Sequence, residues 1–282
     1  KLRINMKVVL FTGGSEGIGR AIAQKFAKAD YRVAIAARTP EKLVEAASEL
    51  KMQSANPIMP IPTDVRDPDQ VKQLVEKVIA EFGQLDVLVN NAGLYSSGPT
   101  EAFSLEDWHE VIDTNLWGYI HTIHAVLPYF VAQQSGAIVN ICSIAGKVPM
   151  PYQTIYTTSK HAISGLSQSL HAELAPKGIH VCAIYPNIIR TDFPEKAVLR
   201  GSTPEDKEAR YKQLEQTLSV PFVEKPDDVA NAVWQALNNQ ESDRVPGSAK
   251  LLNGMNSVMP QLTQWMLQTV FKNKDINRDI NR

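Results

Sequence analysis

Tyr156 and Lys160 stand four residues apart in the run Tyr156-Thr157-Thr158-Ser159-Lys160, a spacing that puts both side chains on one face of a helix. An ammonium beside a phenol favours the phenolate, so the pair predicts a tyrosine whose pKa is drawn down toward the working range of a general acid/base. Tyr-x-x-x-Lys alone arises often by chance. Here it follows Ser143 by thirteen residues and lies far downstream of a glycine-rich turn. A proton-handling phenol, a hydroxyl donor and a turn suited to phosphates together predict movement of a hydride and a proton across a carbonyl/alcohol pair.

The turn is Thr12-Gly13-Gly14-Ser15-Glu16-Gly17-Ile18-Gly19, set between an apolar run and a helical pattern. Gly13 permits a tight turn. Gly17 and Gly19, with Ser15, Glu16 and Ile18 around them, let backbone and helix approach a pyrophosphate at a helix N-terminus. The strand–turn–helix context is what makes the glycine triplet specific. The end of the second strand selects the cofactor. It reads Ala36-Ala37-Arg38-Thr39, with no carboxylate to bind a ribose 2′-hydroxyl and with an arginine able to pair with a phosphate. NADP(H) is therefore expected in preference to NAD(H). Asp64 and Val65, after the third strand, are placed at the adenine, Asp64 through the exocyclic amine and Val65 by packing. A helix cap is the alternative for Asp64.

These residues need elements to position them. Strand-like runs at 8–12, 33–37, 58–62, 87–90, 137–141 and 180–185 alternate with helical patterns at 18–29, 41–51, 68–82, 105–133 and 154–175. The first and fourth runs are continuously apolar, as strands buried on both faces are. The alternation predicts an α/β fold, a doubly wound parallel sheet with helices on both faces. One domain is expected over 1–250, with residues 192–220 as a substrate lid and 251–282 as a helical extension. The apolar, Met-rich stretch with Trp265 in that extension docks on the domain or a second subunit, or makes weak peripheral contact with a membrane.

Composition narrows the function classes. The 282 residues carry a formal charge of −1 and are 44% hydrophobic, which gives no basic excess for nucleic acid. No apolar run reaches the ~18 residues of a membrane span. Met6 reads as the natural start, with residues 1–5 an upstream extension. Cys142 and Cys182 sit in apolar runs and read as buried thiols of a reducing cytoplasm. His121, His124, His161 and His171 lie on helical patterns without a completing carboxylate, so no metal is expected.

Taken together, these motifs resemble the short-chain dehydrogenase/reductase family over residues 7–192, and more loosely to about 240. The family's glycine motif matches Gly13, Gly17 and Gly19. Its Asn-Asn-Ala-Gly motif matches Asn90-Asn91-Ala92-Gly93, its catalytic asparagine Asn115, and its remaining catalytic residues Ser143, Tyr156 and Lys160. The resemblance implies that Tyr156 exchanges the proton and Ser143 donates to the carbonyl oxygen. It implies that Lys160 lowers the tyrosine pKa and binds the nicotinamide ribose, and that Asn115 holds a water on a proton route; a helix-kink residue bonded to backbone is the compatible alternative for Asn115. Asn91, Ala92 and Gly93 would lie along the adenine ribose, and the Ile189 backbone and Thr191 hydroxyl would hold the carboxamide. Where the family has Pro-Gly after the sixth strand, this chain has Pro186-Asn187, with asparagine expected to tolerate a positive φ. Tyr95, Met150, Tyr152 and Phe193 fall on loops expected to border an apolar substrate. The helix before the fifth strand and that of Tyr156 imply a homodimer or homotetramer. A dinucleotide-binding regulator without turnover is the competing reading.

Overall fold

A computed structural model describes residues 6–191, 196–219 and 223–279 of the chain. In chain order the elements are β1 (Val8–Thr12), α1 (Gly17–Lys28), β2 (Arg32–Ala37), α2 (Pro40–Lys51), β3 (Ile58–Pro62), α3 (Pro68–Phe82), β4 (Val87–Asn90) and β5 (Ser96–Ser97). They continue with α4 (Leu105–Ile112), α5 (Gly118–Gln133), β6 (Gly136–Ile141), α6 (Thr154–Leu174), β7 (Ile179–Ile184), β8 (Val198–Leu199) and α7 (Pro204–Ser219). The last are α8 (Pro226–Asn239), β9 (Asp243–Arg244), α9 (Ala249–Val258) and α10 (Pro260–Asp279).

Seven strands form one sheet in the order β3-β2-β1-β4-β6-β7-β9, and β5 pairs with β8 apart from it. Every pairing in the large sheet is parallel. The chain reverses its direction of travel between β1 and β4, so a crevice opens at their carboxyl ends, where ligands bind in such sheets. The six predicted strands all appear. The seventh, β9, has two residues, paired with Ala183 and Ile184, too few to leave a pattern in the sequence.

Side-chain alternation feeds two cores. Val9 and Phe11 of β1 pack with Ile22, Phe26 and Val233 on one face. Val8 and Leu10 pack with Leu74, Ile123 and Val126 on the other. All five residues of β1 are buried, which is why Val8 to Phe11 are apolar without alternation.

The single helix expected over 105–133 is interrupted. Between α4 and α5 the backbone takes a π-helical turn at Asp113–Trp117, a distortion common at functional sites. The turn swings Asn115 inward to full burial.

A polar chain crosses the sheet at the level of the crevice. Thr122 Oγ1 donates to Asn90 Oδ1 at 2.6 Å, Asn90 Nδ2 to Asn140 Oδ1 at 3.0 Å, and Asn140 Nδ2 to Ser167 Oγ at 2.9 Å. The hydroxyl of Ser167 then donates to the Ile163 carbonyl at 2.7 Å. All four side chains are at most 1% exposed, so the network holds only because each member is satisfied. Asn140→Ala orphans the Asn90 amide and removes a donor to Ser167. It is expected to lower unfolding free energy by about 2–4 kcal/mol in urea titrations.

Candidate active site

Two adjoining cavities occupy the crevice. The first, about 290 Å³, is lined by Gly13, Ser15, Glu16, Gly17 and Ile18 of the glycine turn, by Arg38, and by Asp64 and Val65. Asn91, Ala92, Gly93 and Thr191 close it on the side of the second. Gly13 has φ +65°, and a Cβ there would stand 2.9 Å from the Ala92 Cα. The turn is bolted to the Asn-Asn-Ala-Gly stretch: Asn91 Nδ2 donates to the Gly13 carbonyl at 3.0 Å, and Thr12 Oγ1 accepts from the Asn91 and Ala92 amides. Gly19 does not line the cavity. A Cβ on it would lie 2.1 Å from the Gly13 carbonyl oxygen, so its part is to let α1 sit against the turn.

The second cavity, about 220 Å³, holds Tyr95, Ser143, Met150, Tyr156, Lys160 and Ile189. Apolar Leu94, Ile144, Ile188 and Leu214 line it too, with Gln153 and Asn187 among the polar groups. Ser143 follows β6 in extended backbone at φ −173°, and its Oγ accepts from the Ala145 amide. Tyr156 stands in the first turn of α6, its ring edge-on to that of Tyr95 at 5.1 Å. Lys160, one turn later and 5% exposed, donates to the Ile141 carbonyl at 3.0 Å. That carbonyl also accepts from Tyr119 Oη at 2.9 Å.

The electrostatics correct one expectation. The Tyr156 phenol is pushed up, not down: burial raises it, and a hydrogen bond from the Ser143 side chain lowers it only in part. The ammonium of Lys160 lies 5.6 Å from the centre of the tyrosine ring and faces the Ile141 carbonyl instead. Burial lowers Lys160 itself to about 8.

Asn115 takes the helix-kink role. Its Oδ1 accepts from the Leu94 amide at 2.7 Å, and its Nδ2 donates to the Leu94 carbonyl at 2.9 Å and to Ser159 Oγ at 3.0 Å. Both amide hydrogens are spent on protein, so the side chain clamps the loop after β4 to α6. Ser159, the neighbour of Lys160 that completes the clamp, left no mark in the sequence beyond its place in the Tyr-x-x-x-Lys run.

Other expected positions divide. Asp64 does not cap α3; Asp67 does, accepting from the Asp69 and Gln70 amides. The Asp64 carboxylate is instead taken by Arg66, at 2.5 Å to Nη2. Asn187 adopts no positive φ; its amide donates to Ser248 Oγ at 3.0 Å, tying the turn to the start of α9. Pro186 lines neither cavity, but its carbonyl accepts from the Ile144 amide at 2.8 Å and steadies the turn after Ser143. Phe193 lies outside the described residues. Among the described residues no His/Cys/Asp/Glu group is arranged for a metal. Gln153, Leu214 and Lys196 are lining residues that the sequence did not single out, although Lys196 and Leu214 fall within the expected lid.

The short chain dehydrogenase family profile matches residues 7–200. The chain belongs to the short-chain dehydrogenase/reductase family. As a member it is an oxidoreductase. It is 39% identical over 190 residues to the 3-oxoacyl-acyl-carrier-protein reductase FabG of Staphylococcus aureus, which covers 67% of this chain and 77% of that protein. A short-chain dehydrogenase/reductase of Burkholderia phymatum solved with NAD superposes at TM-score 0.79 and 25% identity, over 87% of this chain and 90% of that one. A short-chain dehydrogenase of Sphingobium yanoikuyae in complex with NADPH superposes at 0.75 and 27% identity, over 92% and 96%.

Lys160 carries a stability signature. Its folded pKa of about 8 lies below the ordinary 10.5, so between those values the unfolded chain binds more protons and stability rises with pH. Lys160→Met removes the buried charge and leaves the Ile141 carbonyl bonded to Tyr119. The variant is expected to exceed the parent by about 1–3 kcal/mol at pH 7. That gap should close as the pH climbs from about 8 to 10.5, read by urea titrations across the range.

Proposed function

We propose that the chain reduces an apolar ketone or aldehyde with NADPH, or runs the reverse oxidation. The observation that carries this reading is the convergence of Ser143, Tyr156 and Lys160 on one wall of a largely apolar cavity that opens into the glycine-lined cleft.

The cleft suits a nicotinamide dinucleotide. Gly13 and Gly17 have φ of +65° and +52°, a backbone that side chains rarely adopt. The first turn of α1 carries no acidic residue, so its free amides and dipole favour a pyrophosphate. Arg38 has no hydrogen-bond or ion-pair partner among the described residues, and it faces the cavity without an acidic neighbour at the end of β2. This favours NADP(H) over NAD(H). Asn91, Ala92, Gly93, Ile189 and Thr191 would complete the cofactor contacts.

When bound, the reduced nicotinamide supplies the hydride. The protein's own groups manage the oxygen. Tyr156 gives its hydroxyl proton to the substrate oxygen in reduction and takes it back in oxidation. The raised phenol pKa keeps that proton in place at neutral pH. Ser143 donates a hydrogen bond to the same oxygen and stabilises charge as it develops. Lys160, protonated below about 8, supplies positive potential beneath the phenol. Asn115 positions the helix that carries both.

The lining favours an apolar substrate: Leu94, Tyr95, Ile144, Met150, Ile188 and Leu214 surround the reacting hydroxyls. The 3-oxoacyl group named for the S. aureus relative is one ketone of this kind. Of the expected lid over 192–220, residues 192–195 and 220 lie outside the described residues; the described part serves as the lid in this reading, with Leu214 of α7 as its contact to the cavity. A homodimer or homotetramer through the α5 and α6 faces is supported by Trp117, 49% exposed at the start of α5. Weak bilayer contact is supported by the exposed Leu251, Val258, Leu262 and Trp265 of α9 and α10. No helix among the described residues is long and apolar enough to cross a membrane. Cys142 and Cys182 are free and buried, which suits a reducing cytoplasm.

Tyr156→Phe is expected to cut turnover of a ketone panel by a factor of about 1,000 or more while NADPH binding, followed by cofactor fluorescence, stays near the parental level. Turnover that survives in this variant removes Tyr156 as the proton donor. NADPH bound tightly by the parent without turnover on any carbonyl would favour the regulator. In the parent, reduction should decline as the pH rises through about 8 and Lys160 loses its proton, measured as a kcat–pH profile.

A further inference from the structure

Glu16 occupies the N-cap position of α1, its side chain making no capping bond, and lines the cavity where a dinucleotide's phosphates would lie. A lone carboxylate there would repel them. Glu16 is not alone. Its Oε1 accepts from Lys42 of α2 at 2.6 Å, and its Oε2 accepts from Lys196. Lys196 arrives from the segment after β7, on the far lip of the cleft, and lines the same cavity. Burial pushes the Glu16 carboxyl up, but the two lysines outweigh it and hold the group ionised below its usual range.

Lys42 and Lys196 share the carboxylate of Glu16, and Lys196 and Arg38 both line the cavity. The other carboxylate on this cavity, Asp64, is engaged by Arg66 and also feels the charge of Arg38. Lys196 and Arg38 on one cavity suit the charge of about −1.5 to −2 on a phosphate monoester. A pyrophosphate diester is already favoured by a helix N-terminus without them. With its side chain roughly half exposed (48%), Lys196 is free to leave one carboxylate oxygen for a phosphate oxygen nearby.

We propose that Lys196 is a specificity-determining residue for the dinucleotide. Delivered across the cleft and parked on Glu16, it joins Arg38 and Lys42 in binding the ribose phosphate monoester that separates NADP(H) from NAD(H). The proposal rests on reading this cleft as a dinucleotide site, and it adds a cation from a segment that no glycine motif or strand end predicts.

The test is calorimetric titration of the full chain with NADPH, NADH, adenosine 2′,5′-bisphosphate and 5′-AMP. Lys196→Met is expected to weaken NADPH and the bisphosphate about tenfold, and NADH and AMP less than about twofold. Lys196→Arg should recover most of the loss, and the salt dependence of NADPH binding should flatten in the methionine variant. Glu16→Gln, which removes the competing anion, should preserve or raise the NADPH-over-NADH ratio. Equal weakening of all four ligands by Lys196→Met, or none, overturns the proposal, as does a fall in that ratio in Glu16→Gln. A parental protein that binds none of the four overturns the dinucleotide reading itself, a result separate from parental binding that Lys196→Met leaves unchanged.

Discussion

An ammonium group is expensive to keep out of water. Lys160 is nevertheless held inside this protein, its Nζ bonded to the Ile141 carbonyl at the end of β6. Much of the surrounding architecture can be read as the means of holding it. Ile141 is the last residue of β6 and still pairs with Ile184, and the chain then turns through Ser143. The helix α6 must lie close enough to the strand end, and Gly146 allows this: a Cβ there would meet the Lys160 carbonyl at 2.7 Å. The Asn115 clamp on Ser159 fixes the rotation of α6 about its axis. A longer or looser path would let water reach the lysine, restore its ordinary pKa and weaken its field at the phenol.

That arrangement also explains why Tyr156 is not acidified by its neighbour. Desolvation acts on both groups, raising the phenol and lowering the ammonium. A phenol that stays protonated at neutral pH suits a proton donor to a growing alkoxide better than one already ionised. Positive charge is distributed along the crevice with the same economy. At the outer end Glu16 collects two lysines near Arg38. At the inner end the ammonium of Lys160 shares a cavity with the hydroxyls of Ser143 and Tyr156. Between them the cleft is walled by glycines and by backbone amides at the start of α1.

The segment after β7 connects these ends. It sends Val198 and Leu199 into a small parallel pairing with Ser96 and Ser97, and Arg200 onto the buried carboxylate of Asp107. These links draw the segment across the cleft, with Lys196 over the outer cavity and Leu214 against the inner one. The family profile reaches only to residue 200, before α7. The family resemblance therefore predicts hydride chemistry more firmly than it predicts substrate.

The linear chain was sufficient to determine the doubly wound sheet, the glycine turn and the Tyr156–Lys160 pair. Each is a local pattern: apolar runs at strand length, glycines between strand and helix, two residues one helical turn apart. Tertiary structure alone decided the rest. A kink at Asn115 could be expected but its partners could not, since Leu94 and Ser159 lie 21 and 44 positions away. The upward shift of Tyr156 depends on burial, which a spacing rule does not report. Lys196 meets Glu16 across a separation of 180 positions, a pairing that neither the glycine turn nor the expected lid announces. Periodicity and turn chemistry act over a few residues and leave their signature in the sequence, whereas desolvation and charge pairing depend on what the folded chain brings close in space.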